Sequence, residues 1–195
     1  GINGCERFKK DGCFVTGHDP DTGRELWRTS TIALPGDPND VTWGRIEPTF
    51  RAGGDIWMAG SYDPETDTVW WVTGNPAPLY DWAGDQWKTK GPRPGDNLYT
   101  SSIILLNPET GALKGFHQVL PHDAWDFDPA QGELMMIERD GKKYVVHPSK
   151  AGFVFVFDRK TGEPVWPIEE RPVEKGTVPR EWYSPTQPFP TRPPA

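Results

Sequence analysis

Short apolar runs, each followed by a polar turn led by Asp or Asn, set the pattern of this chain. Phe14-Val15, Ser102-Ile-Ile-Leu-Leu106 and Phe153-Val-Phe-Val-Phe157 are the runs. Asp19-Pro-Asp-Thr-Gly-Arg-Glu-Leu-Trp27, Asn107-Pro-Glu-Thr-Gly-Ala-Leu-Lys-Gly115 and Asp158-Arg-Lys-Thr-Gly-Glu-Pro-Val-Trp166 are the turns that follow them. The physics is that of a hairpin. Asp or Asn starts the turn, Gly supplies a positive φ, and the chain returns as a strand. In the first and third copies a Trp stands eight residues after the Asp, where it is expected to dock against a neighbouring unit; the middle copy has lost it. Asp63-Pro-Glu-Thr-Asp-Thr-Val-Trp-Trp71 puts Asp67 where the others have Gly, and reads as a different hairpin.

The turn glycines Gly23, Gly111 and Gly162 are 88 and 51 residues apart. About 50 residues make one four-stranded propeller blade, and 88 a blade with a long insertion. The insertion is placed at 76–97, rich in Pro, Gly, Asp and Trp. Strands are expected near 57–62, 69–74, 101–106 and 112–118 for one blade, and near 133–139, 143–147, 153–157 and 163–168 for the next. Residues 1–30 end an earlier blade, 50–120 and 130–170 hold the two fuller ones, and 171–195 is a Pro-rich extended connection without a core of its own. The fold class is therefore all-β: an incomplete β-propeller of about two and a half blades, whose bare blade faces make the isolated chain poorly stable.

Composition sharpens this picture. Ten Trp, 21 Gly and 22 Pro among 195 residues are many for their kinds and fit a turn-rich β protein. Lys plus Arg number 21 against 28 Asp plus Glu, a net charge of −7 that argues against a nucleic-acid partner. No apolar run is long enough for a transmembrane helix. The opening Gly1-Ile-Asn-Gly4 carries no initiator Met and no signal-peptide pattern, and both ends read as cut. Two cysteines, Cys5 and Cys13, read as thiols in preference to a local disulfide, and without a Cys/His cluster a structural zinc is not expected.

Three segments put polar groups where strands end: Asn3-Gly-Cys-Glu6, Trp71-Val-Thr-Gly-Asn-Pro76 and Pro121-His-Asp-Ala-Trp-Asp-Phe-Asp128. The third holds three carboxylates within six residues. Such a group raises its own pKa values unless a cation or donor neutralises it, and carboxylate and amide oxygens suit a hard cation such as Ca²⁺. By themselves, Asp123, Asp126 and Asp128 read equally as turn-making residues on a wet loop, and Trp57, Trp70 and Trp71 as strand residues of a packed interior. His117 and His122 read as hydrogen-bonded surface or packing residues. An EF-type calcium loop at Asp19–Glu25 lacks its closing ligands.

Four segments taken in order resemble the pyrroloquinoline quinone (PQQ) dependent alcohol dehydrogenases. They are Asn3-Gly-Cys-Glu6, Trp57 eighteen residues before Asn75 of Thr-Gly-Asn-Pro, Gly95-Asp-Asn-Leu-Tyr99, and His122-Asp-Ala-Trp-Asp126. The resemblance covers nearly the whole chain. It implies an eight-bladed quinoprotein propeller, of which this chain supplies middle blades, with the quinone and its metal near the axis. Glu6 and Asn75 match the family's metal ligands, and Gly4 and Cys5 lie where that Glu's preceding residues flank the quinone. Trp57 matches the indole that stacks on the quinone, Asp126 the proposed catalytic base beside the metal, and Lys150 an Arg or Lys that bonds the quinone oxygens. Asp128 matches an extra acidic position of lanthanide-using members.

What the resemblance implies is an oxidoreductase that oxidises a primary alcohol, sugar or polyol with PQQ and Ca²⁺ or a lanthanide ion. It further implies a cytochrome c or membrane quinone as electron acceptor and a periplasmic location. The remaining blades of the parent chain would complete the quinone cage, so the 195 residues alone are expected to be inactive. The sequence departs from the family's pattern at Cys5, usually a small residue such as Ala, and in the link Arg7–Cys13, usually Gly/Arg-rich. The alternatives are a propeller that serves as a binding scaffold and a carbohydrate-active propeller with an acid–base carboxylate pair.

Overall fold

Side-chain oxygens of Asp and Asn nucleate the turns of the computed structural model, which describes residues 2–5 (as backbone), 13–44, 46–77, 93–179 and 181–192. Asp19 Oδ1 accepts from the amides of Asp21 and Thr22, Asn107 Oδ1 from those of Glu109 and Thr110, and Asp158 Oδ1 from those of Lys160 and Thr161. In each copy the Gly four residues on, at φ +72°, +71° and +78°, donates back to the carbonyl of the first residue. The turn at Asp63 corrects the sequence reading. Asp67 takes φ +48°, Asp63 Oδ1 accepts from the Glu65 amide, and Asp63 pairs with Thr68 five residues on, as the leading residue does in the other three turns. Asp tolerates the left-handed region well enough to stand in for Gly, so the fourth turn closes on the same five-residue pairing, with the Thr66 hydroxyl in place of the second amide on the Asp63 side chain.

Strands β1 (Ile2–Cys5), β2 (Cys13–His18) and β3 (Glu25–Ser30) form an antiparallel sheet in that order. Next come β4 (Ala52–Gly53), β5 (Ser61–Asp63), β6 (Thr68–Val72), β7 (Pro76–Ala77), β8 (Ser102–Leu106) and β9 (Leu113–Gln118). Of these, β5-β6-β8-β9 make a four-stranded antiparallel sheet, and β4 pairs with β7 alone. A third sheet, β10 (Met135–Arg139), β11 (Lys142–Pro148) and β12 (Val154–Asp158), repeats the arrangement. Its fourth strand, expected near 163–168, is reduced to a bridge between Phe157 and Pro164, because Pro164 and Pro167 have no amide hydrogen for a ladder. Instead β13 (Ile168–Pro172) pairs with β14 (Thr186–Pro190), so the Pro-rich end, expected to have no core of its own, doubles back as a hairpin with Phe189 against Phe153. The sheets do not close, and the fold is an incomplete β-propeller.

Ser102–Leu106 is buried at every position because both faces of its sheet are covered. Ile104 and Leu106 point into a core with Val15, Ile32, Trp43 and Ile56; Ile103 and Leu105 point into a second core with Trp70, Val145, Phe155 and Phe157. Adjacent sheets are also pinned at their turns. Trp27 reaches the next unit as expected, its Nε1 donating to Pro108 O at 2.8 Å while its ring lies where a Cβ on Gly111 would stand. Two residues further on, Thr29 Oγ1 donates to Gly111 O at 2.6 Å, and the corresponding His117 Nε2 donates to Gly162 O at 2.7 Å.

Cys13 is disulfide-bonded and wholly buried. The chain's only other cysteine, Cys5, is its register partner across β1 and β2. The thiol reading is thereby overturned: the hairpin register, which composition does not reveal, brings the two positions opposite each other.

Candidate active site

A strand end carries the first half of the candidate site. Beyond β6 the chain runs through Gly74 and Asn75, with Gly74 N donating to Asp55 O at 2.9 Å and Gly74 O accepting from Ser101 N at 2.7 Å. These bonds lay the Asp55–Trp57 segment beside the strand end. A Cβ on Gly74 would come within 2.5 Å of the Trp57 ring, so Gly is what allows the indole to sit there. Trp57 is 45% exposed: it packs on Gly74, and nearly half of its surface remains open. By contrast Trp70 is core, and Trp71 is part-buried with its Nε1 on Met58 O. Asn75 Nδ2 donates to Pro76 O at 3.1 Å, which leaves the amide Oδ1 as an acceptor.

The loop between β9 and β10 carries the second half. Asp123, fully buried, folds it: Oδ1 accepts from Trp125 N at 2.9 Å and Oδ2 from Phe127 N at 3.0 Å. Burial pushes the Asp123 carboxyl upward against those two bonds. His122, Asp126 and Asp128 all take positive φ, at +51°, +62° and +42°. Three non-glycine residues in the left-handed region within seven positions is backbone strain of the kind that functional loops hold. Asp126 is exposed and Asp128 is buried. Lys150 joins them from the turn after β11, its Nζ donating to Asp126 O at 2.6 Å and to Asp128 Oδ2 at 2.9 Å. The hydrogen bond it donates to Asp128, with the field of the neighbouring carboxylates, raises the Lys150 ammonium above its usual range.

Of the residues singled out from sequence, the structure thus joins Trp57 to the Gly74–Asn75 strand end and joins Asp126, Asp128 and Lys150 to one another. Among the described residues no hydrogen bond or ion pair joins the two groups, and no three His, Cys, Asp or Glu side chains cluster there as a metal cage. Glu6 lies outside the described residues, and Gly4 and Cys5 are described only as backbone in β1. The insertion read at 76–97 lies largely outside them as well. The donor set fits a flat cofactor and a hard cation. It offers a half-open indole, an uncommitted amide oxygen and an exposed carboxylate.

Sequence reasoning passed over Arg93. It is 3% exposed, and Nη2 donates to Asp123 O at 2.8 Å while Nη1 bonds Asn97 Oδ1. Burial lowers its pKa to about 10, against the raising fields of Glu181 and Asp123. The only sequence signal was its place between Pro92 and Pro94, just before Gly95-Asp-Asn97.

The family described as "PQQ: Glucose/ethanol/alcohol dehydrogenase, beta-propeller domain" matches residues 3–195. A quinoprotein ethanol dehydrogenase of Pseudomonas putida is 35% identical over 170 residues, 74% of this chain and 27% of that protein. A quinoprotein glucose dehydrogenase of Escherichia coli is 37% identical over 178 residues, 90% of this chain and 21% of that protein. Among solved structures, the quinohemoprotein alcohol dehydrogenase of Comamonas testosteroni superposes with a TM-score of 0.65 at 29% identity, over 91% of this chain and 27% of that one. The chain spans about a quarter of the length of such relatives. With the family's match running from residue 3 to residue 195 over a series of open antiparallel sheets of up to four strands, the chain belongs to the β-propeller family of PQQ glucose, ethanol and alcohol dehydrogenases.

Proposed function

We propose that this chain forms part of a PQQ-dependent dehydrogenase that oxidises a primary alcohol, sugar or polyol to the carbonyl compound, with Asp126 as general base. The observation that carries the reading is the strained loop 121–128, which holds an exposed Asp126 carboxylate beside the Lys150 ammonium. Bound PQQ would supply the hydride acceptor, and a Ca²⁺ or lanthanide ion the Lewis acid that polarises it. Trp57 lays a flat apolar floor against which a planar cofactor is oriented. The Asn75 amide oxygen and the Asp126 carboxylate supply hard oxygen ligands for the cation, with Glu6 as the further ligand implied by the family pattern and Asp128 as an added carboxylate. Lys150 would supply the cation that bonds quinone oxygens. As the alcohol becomes a carbonyl, its hydroxyl proton passes to the Asp126 carboxylate.

The disulfide at Cys13 supports an oxidising compartment such as the periplasm. A cytochrome c or a membrane quinone is the electron acceptor that such a location and family suggest. The test is dye-linked alcohol oxidation by the complete propeller reconstituted with PQQ and either Ca²⁺ or La³⁺. Metal-dependent turnover is expected, and Asp126→Asn should lower kcat by about 10² to 10⁴ with quinone content unchanged. Absence of both quinone absorbance and metal-dependent turnover would overturn the reading.

A further inference from the structure

The Pro-rich end does more than connect. Its residues 181–187 lie across the loop that bears Asp126. Trp182 packs edge-on against the His122 ring at 4.6 Å, and Tyr183 packs on Trp125 at 5.8 Å. Gln187 Nε2 donates to Pro121 O at 2.8 Å, and Ser184 Oγ donates to Asp96 Oδ1 at 2.9 Å. Asp96 O in turn accepts from the His122 amide at 3.3 Å. From the other side, Arg93 Nη2 grips Asp123 O, and Glu181 Oε1 stands 3.7 Å from His122 Nε2 with its side chain 4% exposed. His122 Nδ1 donates to Gly95 O at 2.7 Å with Arg93 Nη1 3.1 Å away. The first half of the loop is therefore held at Pro121, His122, Asp123 and Trp125 by partners distant in sequence. Asp126, whose carboxylate is exposed, follows that clamped stretch.

We propose that Arg93 and the strap Glu181–Gln187 are positioning elements that fix the loop 121–125 and so aim the Asp126 carboxylate. This inference rests on the dehydrogenase reading above and adds to it two parts of the chain that touch no reacting atom. The physical ground is that proton transfer demands placement within a fraction of an ångström, and a displacement of about 1 Å can cost about 10²-fold in rate.

The test uses the complete propeller loaded with PQQ and Ca²⁺, and compares Arg93→Lys, Gln187→Leu, Asp126→Asn and each of the first two combined with Asp126→Asn. Gln187→Leu keeps the side chain's bulk and removes the bond to Pro121, so it carries the test should Arg93→Lys fail to fold. Arg93→Lys is expected to lower kcat by about 10- to 100-fold and Gln187→Leu by about 3- to 10-fold, with KM and quinone content within about twofold. In the Asp126→Asn background both losses should vanish, since the group they aim is gone. Wild-type kcat in both single variants beside an inactive Asp126→Asn enzyme overturns the positioning role alone. Losses that persist in full in the Asp126→Asn background, or that follow quinone content, also overturn it by marking a general structural effect. A fully active Asp126→Asn enzyme overturns the base assignment, and the positioning role with it.

Discussion

A single missing Cβ decides whether Trp57 can serve as a floor. The indole lies where a side chain on Gly74 would stand, 2.5 Å from the nearest ring atom, with backbone bonds fixing Gly74 on both sides. Gly74→Ala is therefore expected to push the ring away. Overpacking of this kind costs about 1–3 kcal/mol, which should appear as an approximately 5- to 150-fold weaker PQQ affinity in a quinone titration of the complete propeller. Unchanged affinity would show that the indole has room to adjust. Local chemistry of this sort was partly legible from sequence. Asp19, Asn107 and Asp158 announce their turns because each side chain bonds amides only two and three residues away. Asp67 was misjudged because its left-handed φ looks, in one-letter form, like a lost Gly.

At the scale of the element, β8 shows how neighbouring residues of one strand serve opposite sides. Ile103 and Ile104 are buried in different cores, so truncating either opens a cavity with no solvent to fill it. Ile103→Ala or Ile104→Ala should cost about 2–5 kcal/mol, whereas Leu113→Ala, at a position 37% exposed on β9, should stay within roughly 0.5 kcal/mol. Thermal midpoints of the three variants in the complete propeller check the order. The run Ser102–Leu106 was readable as a two-sided strand because all of its positions but the first are apolar. The pairing of β13 with β14 was not readable, since two Pro-rich segments carry no alternation that would reveal a partner. The grouping of Arg93, His122 and Glu181 likewise escaped notice: it depends on register and chain return over tens of residues, and a histidine read as a packing residue does not announce its distant partners.

Across the whole molecule, two buried imidazoles set a response to acid. Burial, aided by the Arg93 charge, lowers the His122 pKa to about 3, and burial lowers that of His147 to about 4. In the unfolded chain both titrate near 6.5, so below that pH the unfolded state binds protons that the folded state refuses. Their contribution to stability is full above about pH 6.5 and is lost as pH falls from there towards 4 and 3. The thermal midpoint should fall through this window, and His147→Gln should flatten part of the decline; a midpoint insensitive to pH between 6.5 and 4 would contradict it. The same scale exposes what the open array leaves undone. Trp27 is bonded to the turn of the following unit, while Trp166, at the equivalent place after Asp158, is 37% exposed.

The pinning of each unit through its turns has a mechanical corollary. Trp27, Thr29 and His117 fasten a side chain of one sheet to the backbone of the next, carbonyl by carbonyl, and backbone atoms persist through any substitution. At the Trp27 rivet, whose acceptor is Pro108, the donor side alone is therefore exposed to mutation. Drift in sequence at Pro108 can change the side chain so long as the chain still offers its oxygen there, whereas Gly111 and Gly162 are held as glycines by their positive φ and by the Trp27 and Leu105 side chains against them; the donors answer for the alignment of adjacent sheets.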